Sequence, residues 1–254
     1  MAALARSVLV TGSNRGIGLE LVRQLAASPR PPQHIFATCR DPGGPRGKAL
    51  QELAAQHPNT VNLPSIRGAV RAVGSHLKDQ GLNLLINNAG ISSHATLLSL
   101  DSQEMLSVFA TNAIGPLQEF LPLLEKAAKG SGQEGLSCSR AAIINVSTKL
   151  GSIGLCLGVH QAPMYPYRAS KAAQNMVTRC LAVELQDKGI LCTAIHPGWV
   201  KTDMGTEKVL GYLRTPSAPL TVEHSVRGIL TVLASLSQDT SGAFLDWEGN
   251  SLPW

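Results

Sequence analysis

The feature that most constrains this chain is a repeated succession of two patterns: a short run that is apolar throughout, then a longer stretch with helical periodicity. SVLVTG at 7–12 reads as a buried strand and GIGLELVRQLAAS at 16–28 as a helix; HIFATCR at 34–40 and RGKALQELAAQH at 46–57 repeat the alternation. It continues through a short strand NTVNL at 59–63, a helix over 66–80 and a strand NLLINNAG at 83–90. One long helix is expected over 101–128, then a Gly/Ser-rich loop at 129–139 and a strand AAIINVS at 141–147. Beyond a helix that begins near MYPYRASK lie ILCTAIH at 190–196, a helix from Thr221 to Leu236 and a last strand AFLDW at 243–247. Strands apolar on both faces and joined by helices form parallel sheets covered on both sides. The expected fold is therefore α/β, a doubly wound Rossmann-type parallel sheet of about seven strands with helices on both faces. Its ligand site should lie beyond the carboxyl ends of the strands.

With 254 residues and 44% hydrophobic content the chain can bury a sizeable core. No Pro/Ser-rich linker or composition break divides it, so a single domain over 1–254 is expected. The net charge is +5, but the basic residues are scattered, and the densest cluster is RGK at 46–48. That is a solvated surface or an anion site rather than a nucleic-acid stripe, and the sparse aromatics offer no stacking platform. No apolar run approaches the ~20 residues needed to span a membrane. The odd set Cys39, Cys138, Cys156, Cys180 and Cys192 has no CxxC spacing, so reduced thiols in the cytoplasm are expected, with neither a disulfide framework nor a metal site.

After the first strand comes TGSNRGIG, opening a helix. Gly12, Gly16 and Gly18 let the backbone turn and approach a pyrophosphate, whose charge the free N–H groups at a helix N-terminus stabilise. The spacing G-x-x-x-G-x-G differs from the usual dinucleotide fingerprint, but strand before and helix after is the context that motif requires. The loop residues Gly12, Asn14, Arg15, Gly16, Ile17 and Gly18 are thus candidates for a dinucleotide. The second strand ends on Arg40 with no carboxylate before it, and Asp41 lies in a DPGGP turn that it more plausibly initiates. A basic residue there binds a ribose 2′-phosphate, and Arg15 supplies the other half of a clamp. NADP(H) is expected over NAD; the lesser alternative is that an arginine here is merely solvated.

Within MYPYRASK, only Tyr167 has a cation four residues on, Lys171, one helical turn away on the same face. An adjacent ammonium stabilises a phenolate, making tyrosine a usable proton donor or acceptor. A tyrosine and a lysine at this spacing are also common on any exposed helix.

TGSNRGIG, NNAG at 87–90, YRASK at 167–171 and HPGWVKTDMG at 196–205, in that order, resemble the short-chain dehydrogenase/reductase family across nearly the whole chain. HPGWVKTDMG and GAFLDWEGNSLPW are similar to its sniffer-like and C-factor-like carbonyl reductases. The resemblance implies NADPH-dependent reduction of aldehydes and ketones, with Tyr167 as general acid and Lys171 lowering its pKa and holding the nicotinamide ribose. It further implies that Asn112 supports a water linked to the lysine, and that Asn88, Ala89 and Gly90 line the cofactor groove. Pro197 and Gly198 would form the turn beside the nicotinamide, with Val200 at its carboxamide and Thr202 at the diphosphate. His196 is expected to be structural.

Two departures from the family pattern stand out. Its substrate-orienting serine falls on Thr148, whose hydroxyl can serve as a serine's does, while the neighbouring Ser147 points to the opposite face of a regular strand. The aspartate that usually ends the third strand is missing; Asn62 is the nearest substitute, and the stretch 58–65 looks several residues short. A shortened strand there should weaken a central part of the sheet and the adenine pocket. The competing reading is a cofactor-binding regulator with little turnover. Substrate walls are expected at Ser152–Pro166, including Leu155, Leu157, His160 and Met164, and at Met204–Leu220. Both are mainly apolar, which suits a small hydrophobic carbonyl compound. An apolar face on the long helix is equally core or a homo-oligomer interface.

Overall fold

The computed structural model describes residues 3–64, 66–114, 117–160, 162–206 and 218–254. In chain order the elements are β1 (Ser7–Thr11), α1 (Gly16–Ala26), β2 (His34–Cys39), α2 (Lys48–Gln56), β3 (Thr60–Pro64), α3 (Ile66–Leu77), β4 (Leu84–Asn87) and α4 (Ser102–Phe109). They continue with α5 (Leu117–Gly130), β5 (Ala142–Val146), α6 (Tyr165–Leu185), β6 (Leu191–His196), α7 (Asp203–Thr206), α8 (Val222–Ser235) and β7 (Phe244–Asp246). The strands form one sheet in the order β3-β2-β1-β4-β5-β6-β7, and every neighbouring pair is parallel. The order reverses between β1 and β4, so the loops leaving those two strands diverge and open a crevice.

Successive residues of β1 show why its strand is apolar throughout. Val8 and Val10 pack with Leu21, Val22, Val226 and Ile229 from α1 and α8, whereas Leu9 packs on the other face with Val73, Phe120 and Leu124 from α3 and α5. All three β1 side chains are fully buried, and each contributes ~1.5–3 kcal/mol. Helix starts are fixed by local chemistry: Asp101 accepts from the Glu104 N–H at 2.7 Å, and Thr221 accepts from His224 N–H at 3.2 Å.

One polar line crosses this apolar interior. Asn87 donates to Asn145 Oδ1 at 2.9 Å between register partners of β4 and β5, and Asn145 in turn donates to Thr178 Oγ1 of α6 at 2.8 Å.

Two expectations from the sequence need correction. The stretch 101–128 is not one helix: α4 ends at Phe109 and a π-turn occupies Ala110–Ile114 before α5. A π-turn inserts an extra residue and redirects the side chains that follow it, and Asn112 sits inside this one. The short third strand does not weaken the centre of the sheet either. β3 is an edge strand, and its five residues match five on β2, from Ile35↔Thr60 to Cys39↔Pro64. An edge strand needs one partner only, so its brevity costs no ladder on a far side.

Candidate active site

Two loops meet at the crevice. Gly12 has φ +68° and Gly16 φ +54°, a region that favours glycine. A Cβ on Gly12 would lie 2.9 Å from Ala89 Cα, and one on Gly18 would lie 2.2 Å from Gly12 O. Asn88 ties the loops together: its Nδ2 donates to Thr11 O at 2.9 Å and Gly12 O at 3.3 Å, while Thr11 Oγ1 accepts from the N–H groups of Asn88 and Ala89. Gly90 lies over Asn112, whose Oδ1 would be 3.2 Å from an added Cβ. The first turn of α1 has no side-chain cap, which leaves its N–H groups for an anion.

Some of the remaining predicted cofactor residues meet this loop, and others lie farther along the sheet edge. Ser13 N–H donates to Thr38 O at 3.0 Å, which sets the loop against the end of β2, close in sequence to the exposed Arg40. Asn14 donates to Arg46 O at 3.4 Å, and Ile17 packs partly into the core. Thr202 comes across from the far side: its methyl group would be 3.3 Å from a Cβ on Gly16. Next to it, Asp203 forms an ion pair with Arg15. On β3, Asn62 Oδ1 is buried without a hydrogen-bond partner. A buried acceptor left unpaired costs about 1–3 kcal/mol, so a ligand amino group there would relieve it. An uncapped helix start, glycines in close backbone contact and a spare acceptor on β3 fit a dinucleotide laid along the carboxyl edge.

Tyr167 lies in the first turns of α6, which starts behind Met164 in the left-handed region at φ +40°. Its half-buried phenol lies close to the Thr148 hydroxyl, just past the end of β5. Burial pushes the phenol up to about 12, and the Thr148 contact acts against that rise. The ammonium of Lys171 donates to Val146 O at 2.7 Å and Gln174 Oε1 at 2.9 Å, and burial brings it down to about 8. Lys171 thus shares the helix face expected of it, yet its hydrogen bonds go to β5 and α6. The expected depression of the phenol's pKa is replaced in the protein alone by a rise, because desolvation outweighs it.

Ser147 and Thr148 are separated by the pleat. Ser147 Oγ donates to Asn175 Oδ1 at 2.6 Å inside α6, so Thr148 is the hydroxyl left to face Tyr167. Asn112 is clamped from three sides: Oδ1 accepts from Ile91 N–H, and Nδ2 donates to Ile91 O and to Ser170 Oγ, all within 2.9–3.0 Å. Ser170 passes the contact on to Tyr167 O at 2.8 Å. Pro197 and Gly198 follow β6 in a turn at φ +87°, and Val200 forms a bridge with Leu220. His196 is register partner to Asp246, and burial pushes its imidazole down to about 4, with Lys149 acting the same way.

A cavity of about 490 Å³ opens beside the glycine loop, walled by Arg15, Asp203 and Met204 on one side and Ser92, Ser93, His94 and Ala95 on the other. Tyr167 and Thr148 are not in its lining, but Ala95 accepts a hydrogen bond from Tyr165 N–H two residues away. Sequence reading missed residues 92–95, although their place directly after NNAG at a strand end was a usable signal. It also missed Gln174, three residues past Lys171 and therefore on its face. Of the expected substrate walls, Gln161 and 207–217 lie outside the described residues; Met164 is buried, while Ile153 and Leu157 are exposed. Among the described residues no cluster of three or more His, Cys, Asp or Glu could hold a metal ion, and no helix is long and apolar enough to cross a membrane.

Comparison with known proteins agrees with this fold. The short chain dehydrogenase family model matches residues 6–212. A solved NADPH-bound carbonyl reductase from chicken fatty liver is 50% identical, with a TM-score of 0.91 over 98% of this chain and 99% of its own. The carbonyl reductase Sniffer of Drosophila melanogaster is 40% identical, with a TM-score of 0.89 over 98% of this chain and 100% of its own. C-signal of Myxococcus xanthus is 33% identical over 73% of this chain and 100% of its own length. Seven parallel strands, the four ordered motifs and these likenesses together place the chain in the short-chain dehydrogenase/reductase family.

Proposed function

We propose that the chain is an NADPH-dependent carbonyl reductase acting on small hydrophobic aldehydes or ketones. The observation that carries this reading is the phenol of Tyr167 beside the Thr148 hydroxyl at the carboxyl edge of the sheet, one turn from buried Lys171. Bound along that edge, NADPH supplies a hydride to the carbonyl carbon. The chain's own residues handle the oxygen. Thr148 and Tyr167 present two hydroxyls that can meet the charge growing there, a contact stronger in the transition state than in the ground state. At about 12 the Tyr167 phenol holds its proton at neutral pH, which suits a donor to the nascent alkoxide. Lys171, mostly charged at neutral pH, is held by Val146 O and Gln174 where it can turn toward a ribose hydroxyl.

Arg15 and Arg40 are the residues we assign to the 2′-phosphate, Asn62 to the adenine amino group, and Gly12 to Gly18 to the diphosphate. The 50% identity with a carbonyl reductase that binds NADPH supports both the cofactor and the substrate class. The test is a panel of aldehydes, ketones and quinones with NADPH and NADH in parallel, repeated on Tyr167→Phe. Loss of the donor should lower kcat by at least about 10²-fold while NADPH binding persists; a Tyr167→Phe enzyme that turns over normally overturns the assignment.

A further inference from the structure

The turn Pro197–Gly198 is outside the sheet, for β6 ends at His196 and β7 at Asp246. Leu220 packs on it, and two later parts of the chain fix its depth. Ser225, fully buried on α8, donates its Oγ to Pro197 O at 2.6 Å. A Cβ on Gly198 would lie 3.1 Å from Cδ1 and 3.2 Å from Nε1 of Trp247, so the pyrrole edge of the indole rests directly on the glycine backbone. The opposite edge is seated on α8: a Cβ on Gly228 would lie 2.5 Å from Trp247 Cε3. His224 meets the same ring edge-on, with centroids 5.0 Å apart. At the turn the indole shares its contact with Leu220, whose Cδ2 would be 2.7 Å from the same Cβ on Gly198, while on α8 it meets the Gly228 backbone with no side chain between. It is therefore a spacer between helix and turn.

We propose that Trp247 and Ser225 are positioning residues that set the depth of the Pro197–Gly198 turn, and through it the approach of the nicotinamide ring to Tyr167 and Thr148. This rests on the reading of that turn as the nicotinamide's neighbour. Its signature is a split between the two halves of the cofactor. The adenosine half binds at the glycine loop and β2, on the other side of the crevice, and never meets the indole. The nicotinamide half binds against the turn. A smaller residue at 247 lets the turn sink toward α8, and misplacing a reacting centre by about 1 Å can cost about 10²-fold in rate.

The experiment compares Trp247→Leu, Trp247→Phe and Ser225→Ala in the full chain. Three quantities are read: affinity for adenosine 2′,5′-bisphosphate, affinity for NADPH, and kcat for the best carbonyl with NADPH and its 4-deuterated form. Expected are bisphosphate affinities within about twofold of the original, weaker NADPH binding, and a kcat lowered by about 10- to 100-fold with a larger deuterium isotope effect, Phe losing less than Leu. Bisphosphate and NADPH affinities that fall together, or a kcat loss without any rise in the isotope effect, make the indole an ordinary packing residue and overturn the proposal. Ser225→Ala removes one hydroxyl from a buried site and keeps the fold testable if the indole variants do not fold. Should the original chain bind NADPH but reduce nothing, the carbonyl-reductase reading fails by itself, and the bisphosphate-to-NADPH split still decides the role of Trp247.

Discussion

Lowering the pH from 7 toward 4 should unfold this protein through His196 more than through any acidic group at the site. The imidazole ends β6, largely shielded from water, with a buried Nδ1 that has no hydrogen-bond partner. Burial holds its pKa near 4 against an ordinary 6.5, Lys149 adds to the depression, and Asp246 opposes it. The sign follows from proton uptake. Between those two values the unfolded chain carries a proton on this residue and the folded chain does not, so stability falls as pH falls through that window. At about 1.4 kcal/mol per pH unit, the loss reaches about 3 kcal/mol by about pH 4. That is a large share of the ~5–15 kcal/mol that holds an ordinary protein together. The assay is the urea midpoint from pH 4.5 to 7.5 for the original chain and for His196→Gln. Glutamine fills much of the same space and cannot titrate, so the variant should lose most of the acid dependence, starting from a lower stability at pH 7. His34, whose imidazole burial also pushes down with help from His76 and Arg6, leaves a residual slope of the same sign in both. Parallel pH profiles for the two proteins refute the reasoning.

Two further outcomes are expected. Gly18→Ala drives a methyl group against Gly12 O and Asn88 Nδ2, both fixed by hydrogen bonds; overpacking of this kind costs about 1–3 kcal/mol, so the melting temperature should drop by several degrees and NADPH-induced stabilisation should shrink. A normal thermal shift with NADPH in this variant counts against the glycine-loop assignment. Arg40→Ala should weaken NADPH by about 10- to 100-fold, the loss of a charge-assisted hydrogen bond, and leave NADH nearly untouched; equal losses for both cofactors place the 2′-phosphate elsewhere.

Much of the fold was legible because parallel strands buried on both faces leave an unmistakable trace in runs such as SVLV and AIINV. The order of strands was not, since nothing local in 58–65 says whether a strand is central or at an edge; hence the overstated concern about β3. The break at Ala110–Ile114 was equally invisible, because TNAIG continues the helical pattern and a π-turn differs by one residue in hydrogen bonding. At the candidate site, Tyr167 and Lys171 were proposed from spacing, and Asn112 and Thr148 from family likeness; the structure brings Thr148 to Tyr167. The electrostatics were not foreseeable in the same way. Spacing alone put an ammonium beside a phenol, whereas the folded chain adds Val146 O and Gln174 as competitors and strips water from both groups.

The amide line from Asn87 through Asn145 to Thr178 has a use that no ligand enters. Slide β4 against β5 by two residues and one aliphatic side chain replaces another at little loss, because neither strand has a wet face to betray the error. The amides do betray it: out of step, the Asn145 carbonyl and the Asn87 N–H would lose each other and confront hydrocarbon, at about 1–3 kcal/mol apiece. A single polar rung thus acts as an alignment pin for two otherwise interchangeable strands, and keeps the loops that leave them level with each other at the edge where chemistry must happen.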